Sequence, residues 1–144
     1  LSLHDALPIF IFDLFYDRLS KVEPVSERTP IFRNIHLSNV TGNDIKRIGY
    51  IKGIEEMPIS ELSFSNMNIV AGKGFQAETA TDIRFNNVSF TVEEGPSLNI
   101  RQCKDIFLND VRTKQPIAGQ PVVDLEAIEN LSIIHCDSTQ IVRK

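Results

Sequence analysis

Asp82-Ile83-Arg84-Phe85-Asn86-Asn87-Val88-Ser89-Phe90 places apolar side chains at 83 and 85, and then at 88 and 90. A period of two holds on each side and slips by one at Asn86-Asn87. Side chains alternate strictly along a strand, so the slip would turn the second pair outward unless the chain bends there. Two short strands meeting at a corner satisfy both halves. Asn suits such a corner: it tolerates the left-handed backbone region better than most residues with a Cβ, and its side chain bonds nearby backbone groups.

The phrase recurs. Asn34-Ile35-His36-Leu37-Ser38-Asn39-Val40, Glu61-Leu62-Ser63-Phe64-Ser65-Asn66-Met67, Asp105-Ile106-Phe107-Leu108-Asn109-Asp110-Val111 and Asn130-Leu131-Ser132-Ile133-Ile134-His135-Cys136 match it, making five copies. Their first apolar residues, Ile35, Leu62, Ile83, Ile106 and Leu131, are 27, 21, 23 and 25 residues apart. Periods of this length mark a solenoid, in which one repeat cannot bury its own apolar face and stacking the repeats builds a continuous core.

A fainter repeat precedes three of the phrases. Six and eight residues before Ile83, Ile106 and Leu131 lie the pairs Ala77 and Phe75, Ile100 and Leu98, and Leu125 and Val123. They are the inward positions of a third strand. Residues 53–60 (GIEEMPIS) break the spacing before Leu62 and read as an inserted loop. Three short strands and three bends per repeat, with no 3.6-residue stripe after residue 20, predict an all-β parallel β-helix of about five coils. Leucine-rich repeats share the repeat length, but their regular leucine pattern is absent.

The 144 residues are 42% hydrophobic with a net charge of −4, enough for one domain with a sizeable core. The longest apolar run, residues 7–12, is too short to span a membrane. Nothing in the pattern calls for a nucleic acid, a cofactor or a metal. Cys103 and Cys136 fall at different places in their repeats, so two isolated thiols are expected rather than a disulfide. Residues 1–9 (LSLHDALPI) coincide with the in-frame translation of a common sequencing adapter, and are set aside as an assembly scar. The native part is then expected at 10–144, as the later portion of a longer chain.

Residues 10–16 (FIFDLFY) occupy the third-strand position of the first coil. Residues 17–30 (DRLSKVEPVSERTP), with two prolines and mixed charge, read as a loop excursion. Between 18 and 52, seven Lys or Arg stand against three acids, a local excess of four positive charges in an acidic chain. Such a surface attracts a polyanion; it is equally a solvated face.

Residues 27–41 (ERTPIFRNIHLSNVT), preceded by Phe15-Tyr16 and followed by Glu56-Met57-Pro58-Ile59, resemble the C-terminal part of glycoside hydrolase family 28, the polygalacturonases and their pectin-degrading relatives. The resemblance covers essentially all of 10–144. It implies a right-handed parallel β-helix, a secreted or periplasmic enzyme acting as a monomer on galacturonan, and inverting hydrolysis of α-linked galacturonic acid. Inversion needs carboxylates far enough apart to admit a water. The family holds them in an Asn-Thr-Asp segment and an Asp-Asp pair, followed by Gly-His-Gly and Arg-Ile-Lys; none of the four is present here. No catalytic residue is therefore assigned, and this stretch alone is expected to be inactive.

Two substrate-binding candidates follow from the resemblance. Tyr16 matches a tyrosine beside the family's sugar subsites, although a core tyrosine with its hydroxyl at the surface fits as well. Lys52 faces outward if Ile51 faces inward, and would meet a galacturonate carboxylate as a point charge. Asn39, Asn66, Asn87, Asp110 and His135 share one corner and should form a polar ladder. His36 alternates with Ile35 and Leu37 and should face solvent, without a metal partner. Asn39, Asn87 and Asn130 head glycosylation sequons; a ladder enclosed within the coil predicts no glycan on Asn39 or Asn87. Two other functions stay open: a non-catalytic carbohydrate-binding or adhesive β-helix, and a pectate lyase, which would need Ca²⁺ carboxylates in earlier coils.

Overall fold

A computed structural model describes residues 2–4, 8–14, 24–27 and 29–144. The repeated phrases wind into a parallel β-helix, and the five copies delimit about four turns. The strands are β1 (Ser2–His4), β2 (Phe10–Asp13), β3 (Arg33–Lys52), β4 (Ile59–Glu78), β5 (Ala80–Arg112), β6 (Val123–Ile134) and β7 (Ile141–Arg143). All pair in parallel within one sheet in the order β1, β3, β4, β5, β6, β7, with β2 also on β3. No α-helix occurs among the described residues.

A 33-residue strand such as β5 would be about 110 Å long if straight. It turns corners instead, keeping its hydrogen bonds to the next coil as it does so. The corners are single residues in the left-handed region. Asn39, Asn66, Asn87, Asp110 and His135 all have φ between 52° and 58°. A second corner opens each phrase at Asn34, Glu61, Asp82, Asp105 and Asn130, and a third lies three residues earlier at Thr79, Gln102 and Ala127. The one-residue slip at Asn86-Asn87 is thus a corner at Asn87, where φ is 53°.

Register stacks equivalent residues. Ile35 pairs with Leu62, Leu62 with Ile83, and Ile106 with Leu131. Ile83, Phe85, Val88 and Phe90 are fully buried, as are the third-strand residues Phe75, Ala77, Leu98, Ile100, Val123 and Leu125. The rings form a connected column: Phe64 stacks on Phe85 with centroids 4.9 Å apart, and Phe75 meets both edge-on at 5.1 and 5.7 Å. Coils approach so closely at Gly74 that a Cβ there would fall on the carbonyl oxygens of Pro96 and Ser97.

Three boundaries differ from the sequence expectation. The inserted loop ends earlier, because Ile59 and Ser60 already belong to β4; within 53–58, Ile54 bridges Met57 and is itself buried. A second loop at 113–122, with no counterpart in the periodicity, separates β5 from β6 and tucks Val122 into the core. The third-strand run at the start is shorter, spanning Phe10–Asp13 on Gly49–Lys52, with Leu14 buried beyond it. Ser2–His4 pairs with Thr41–Asn43. Such pairing is carried by backbone groups and makes little demand on side-chain identity.

Cys103 and Cys136 are both free thiols. Burial pushes the Cys103 thiol up to about 11, and its S–H donates to the Arg101 carbonyl oxygen at 3.1 Å. The loop at Asp137 is tied by the Thr139 hydroxyl and N–H, at 2.7 and 3.0 Å, which hold the Asp137 carboxyl below its ordinary range.

Candidate functional site

On the third strand of each coil the inward residues are fixed by the core, so the alternating residues form an outward face. Ile51 is 1% exposed, which turns its neighbours Tyr50 and Lys52 out. Register aligns two rows on this face. One runs Ile11, Tyr50, Gln76, Asn99, Asp124 and Val142; the other runs Asp13, Lys52, Glu78, Arg101 and Glu126. Successive members stand about 4.8 Å apart, the spacing between paired strands.

The second row alternates in sign from end to end. Arg101 Nε lies 3.4 Å from Glu126 Oε2, and Lys52 stands in register between Asp13 and Glu78. Like charges directly opposite would repel, so alternation favours the observed register. The first row is neutral until Asp124, whose Oδ2 accepts from Lys144 Nζ at 3.1 Å. The Tyr50 hydroxyl donates to Asp13 Oδ2 at 3.5 Å and so joins the two rows. Beside them a groove of about 270 Å³ is lined by Arg47, Lys73, Gln76, Glu94 and Asn99 among others. A ring, two amides and flanking cations can together bond hydroxyls and carboxylates of an extended polar ligand.

No family model, curated protein or solved structure matches the chain.

Of the two sequence-derived binding candidates, Lys52 lies on this face and Tyr16 falls outside the described residues. Tyr50 was missed by sequence reasoning. Its signal was the same one that singled out Lys52: it too neighbours the inward Ile51.

The corner residues do stack, but differently along the axis. Asn66 Nδ2 donates to Asn39 Oδ1 at 3.4 Å and Asn87 Nδ2 to Asn66 Oδ1 at 2.9 Å. Below Asn87 the run is carried by Arg112, which donates to Asn87 Oδ1 at 3.0 Å and pairs with Asp110 at 2.6 Å. His135 leans to Asn109 instead, with Nδ1 at 3.0 Å from Oδ1. The ladder is on the outside of the coil: Asn39 and Asn66 are exposed and Asn87 is half-buried. The premise of enclosure behind the glycan expectation is therefore corrected.

His36 is exposed, with Nδ1 2.6 Å from Ser63 Oγ and Nε2 2.8 Å from Asn34 Oδ1. Hydroxyl, imidazole and amide stand in the order of an acyl-transfer relay. Ser63, however, sits in a strand paired on both sides, so its sheet offers no converging N–H groups for an oxyanion. No group of His, Cys, Asp and Glu suited to a metal occurs among the described residues.

Proposed function

We propose that these coils belong to a polygalacturonase-like glycoside hydrolase and supply one wall of its substrate groove, the catalytic aspartates lying in coils outside this sequence. The observation that carries this is the third-strand face. Tyr50 and Lys52 stand side by side on the coil that holds residues 27–41, the segment resembling family 28. That coil is also the basic part of an acidic chain, with Arg33, Lys46, Arg47 and Lys52. A galacturonan, carrying one carboxylate per sugar, would be drawn to it and would meet Lys52 as a point charge.

The test is recovery of the gene by long reads across the Ile9-Phe10 junction, with assay of its product on polygalacturonate. Appearance of the Asn-Thr-Asp, Asp-Asp, Gly-His-Gly and Arg-Ile-Lys motifs together with release of reducing ends supports the proposal. Absence of those aspartates sinks it in favour of a non-catalytic carbohydrate-binding β-helix.

A further inference from the structure

The outward face of the phrase strands carries a different set of side chains. Its central row is His36, Ser63, Arg84, Phe107 and Ser132, with one aromatic residue among polar ones. Asn109 Nδ2 donates to Asn86 Oδ1 at 2.5 Å, which brings Arg84 and Phe107, two residues earlier on each strand, side by side. Phe107 is half-buried, yet it belongs neither to the core nor to the hydrophobic residues packed against it. Among the described residues it stacks on no other ring, whereas Phe10, Phe64, Phe75, Phe85 and Phe90 all do. Its ring faces a groove of about 400 Å³ shared with Arg84, Asp105, Asn130 and Ser132.

The polar groups at the rim converge on that ring. Asn130 Nδ2 donates to Asp105 Oδ1 at 2.9 Å, which fixes the pair and leaves Asp105 Oδ2 and the Asn130 carbonyl oxygen to accept from hydroxyl groups. Both residues are left-handed corners, so the backbone holds them in place before any ligand arrives. The local charge selects the ligand class. Arg84 is paired with Asp82 and Lys104 with Glu129, at 3.1 Å each, and with Asp105, which also attracts Lys104, the five charges sum to minus one. A polyanion is disfavoured here. We propose that this groove is a binding site for a neutral pyranose unit of a polysaccharide, with the C–H face of the sugar on Phe107 and its hydroxyls on Asp105 and Asn130. The site lies on a different face from Tyr50 and Lys52 and does not depend on galacturonan being the substrate there.

The test is affinity gel electrophoresis of the 144-residue chain in gels containing galactan, xylan or glucomannan, with polygalacturonate run in parallel. The expected result is retardation by at least one neutral polysaccharide, weakened about tenfold in apparent affinity by Phe107→Leu and retained by Phe107→Tyr, as expected for one ring contact. Ser132→Arg should give the same loss at an exposed position, because its guanidinium can lie over the ring and occupy the groove. This variant reads the site even where Phe107→Leu disturbs the fold. No retardation by any neutral probe, or retardation that both Phe107→Leu and Ser132→Arg leave unchanged, overturns the site. Polygalacturonate retardation bears only on the third-strand face, so the two proposals fail separately.

Discussion

Phe85 and Phe107 occupy neighbouring coils of the same strand column, two residues and one residue after the phrase's first apolar position, and that one-residue difference separates two chemistries. Phe85 points inward, is fully buried and touches Phe64, Phe75 and Phe90. Phe107 points outward into a polar groove. Residue type does not decide burial in a solenoid. Parity relative to the corner does, because the backbone alternation is set by Asn87 and Asp110 before any side chain is placed.

The sharpest way to break this contrast is truncation of both rings. Phe85→Ala should cost about 3–5 kcal/mol in a denaturant melt, the range for a buried aromatic that leaves a cavity. Phe107→Ala should cost less than about 1 kcal/mol, since it opens no cavity in the core. Equal losses would mean that the inward and outward assignment is wrong.

The corner that sets the parity comes next. Asn87→Ala puts a residue with less tolerance for the left-handed region at φ 53° and removes the bonds to Asn66 and Arg112, for a loss of about 1–2 kcal/mol. Asn87→Gly keeps the backbone freedom and loses only the bonds, so its melt should fall between Asn87→Ala and wild type. Both variants lose the same bonds, so a Gly variant no better than Ala would mean that the left-handed dihedral angle contributes little.

Inside and outside also differ in thiol chemistry. With its pKa raised to about 11, Cys103 stays protonated in the folded chain where an unfolded thiol, near 9, would ionise. The stabilisation is fully present below pH 9 and is lost as pH rises through 11. Unfolding midpoints of wild type and Cys103→Ala should therefore converge over that interval. A constant gap would place the effect in packing alone.

The smallest expected effect is that of Arg84→Ala, an exposed side chain paired with Asp82, which should lie within about 0.5 kcal/mol of wild type. A larger loss in a melt run at high salt would point to packing of the Arg84 stem on Phe107 rather than to charge.

The corner at 39, 66, 87, 110 and 135 was legible because Asn, Asp and His are the residues with a Cβ that most readily accept a left-handed backbone, and the apolar slip marked the place. The second corner carries the same residue types at Asn34, Asp82, Asp105 and Asn130, yet the even interval between the flanking apolar pairs, such as Ala77 and Ile83, masks it together with the third. Glu61, Thr79, Gln102 and Ala127 carry no such preference, and hydrogen bonding to the flanking coils imposes the conformation on them. The 113–122 loop carries the turn residues Pro116, Gly119 and Pro121, but it fits within the ordinary 25-residue spacing from Ile106 to Leu131, so the repeat length did not mark it. At the candidate site, Lys52 was found through its neighbour Ile51, while Tyr50, on the other side of Ile51, was missed. Phe107 was counted only as part of a repeat. The period marks which way a side chain points but not what the neighbouring coil sets beside it.

Register also dictates how the molecule would respond to force. Each coil is contiguous in sequence and bonded only to the coils above and below it, so a pull on the C-terminal end would peel one coil while leaving the next intact. A coil of about 25 residues, once released, lengthens the chain by about 85 Å. Extension would then proceed as a staircase, and the coils carrying Phe64, Phe75, Phe85 and Phe90 should form its highest step.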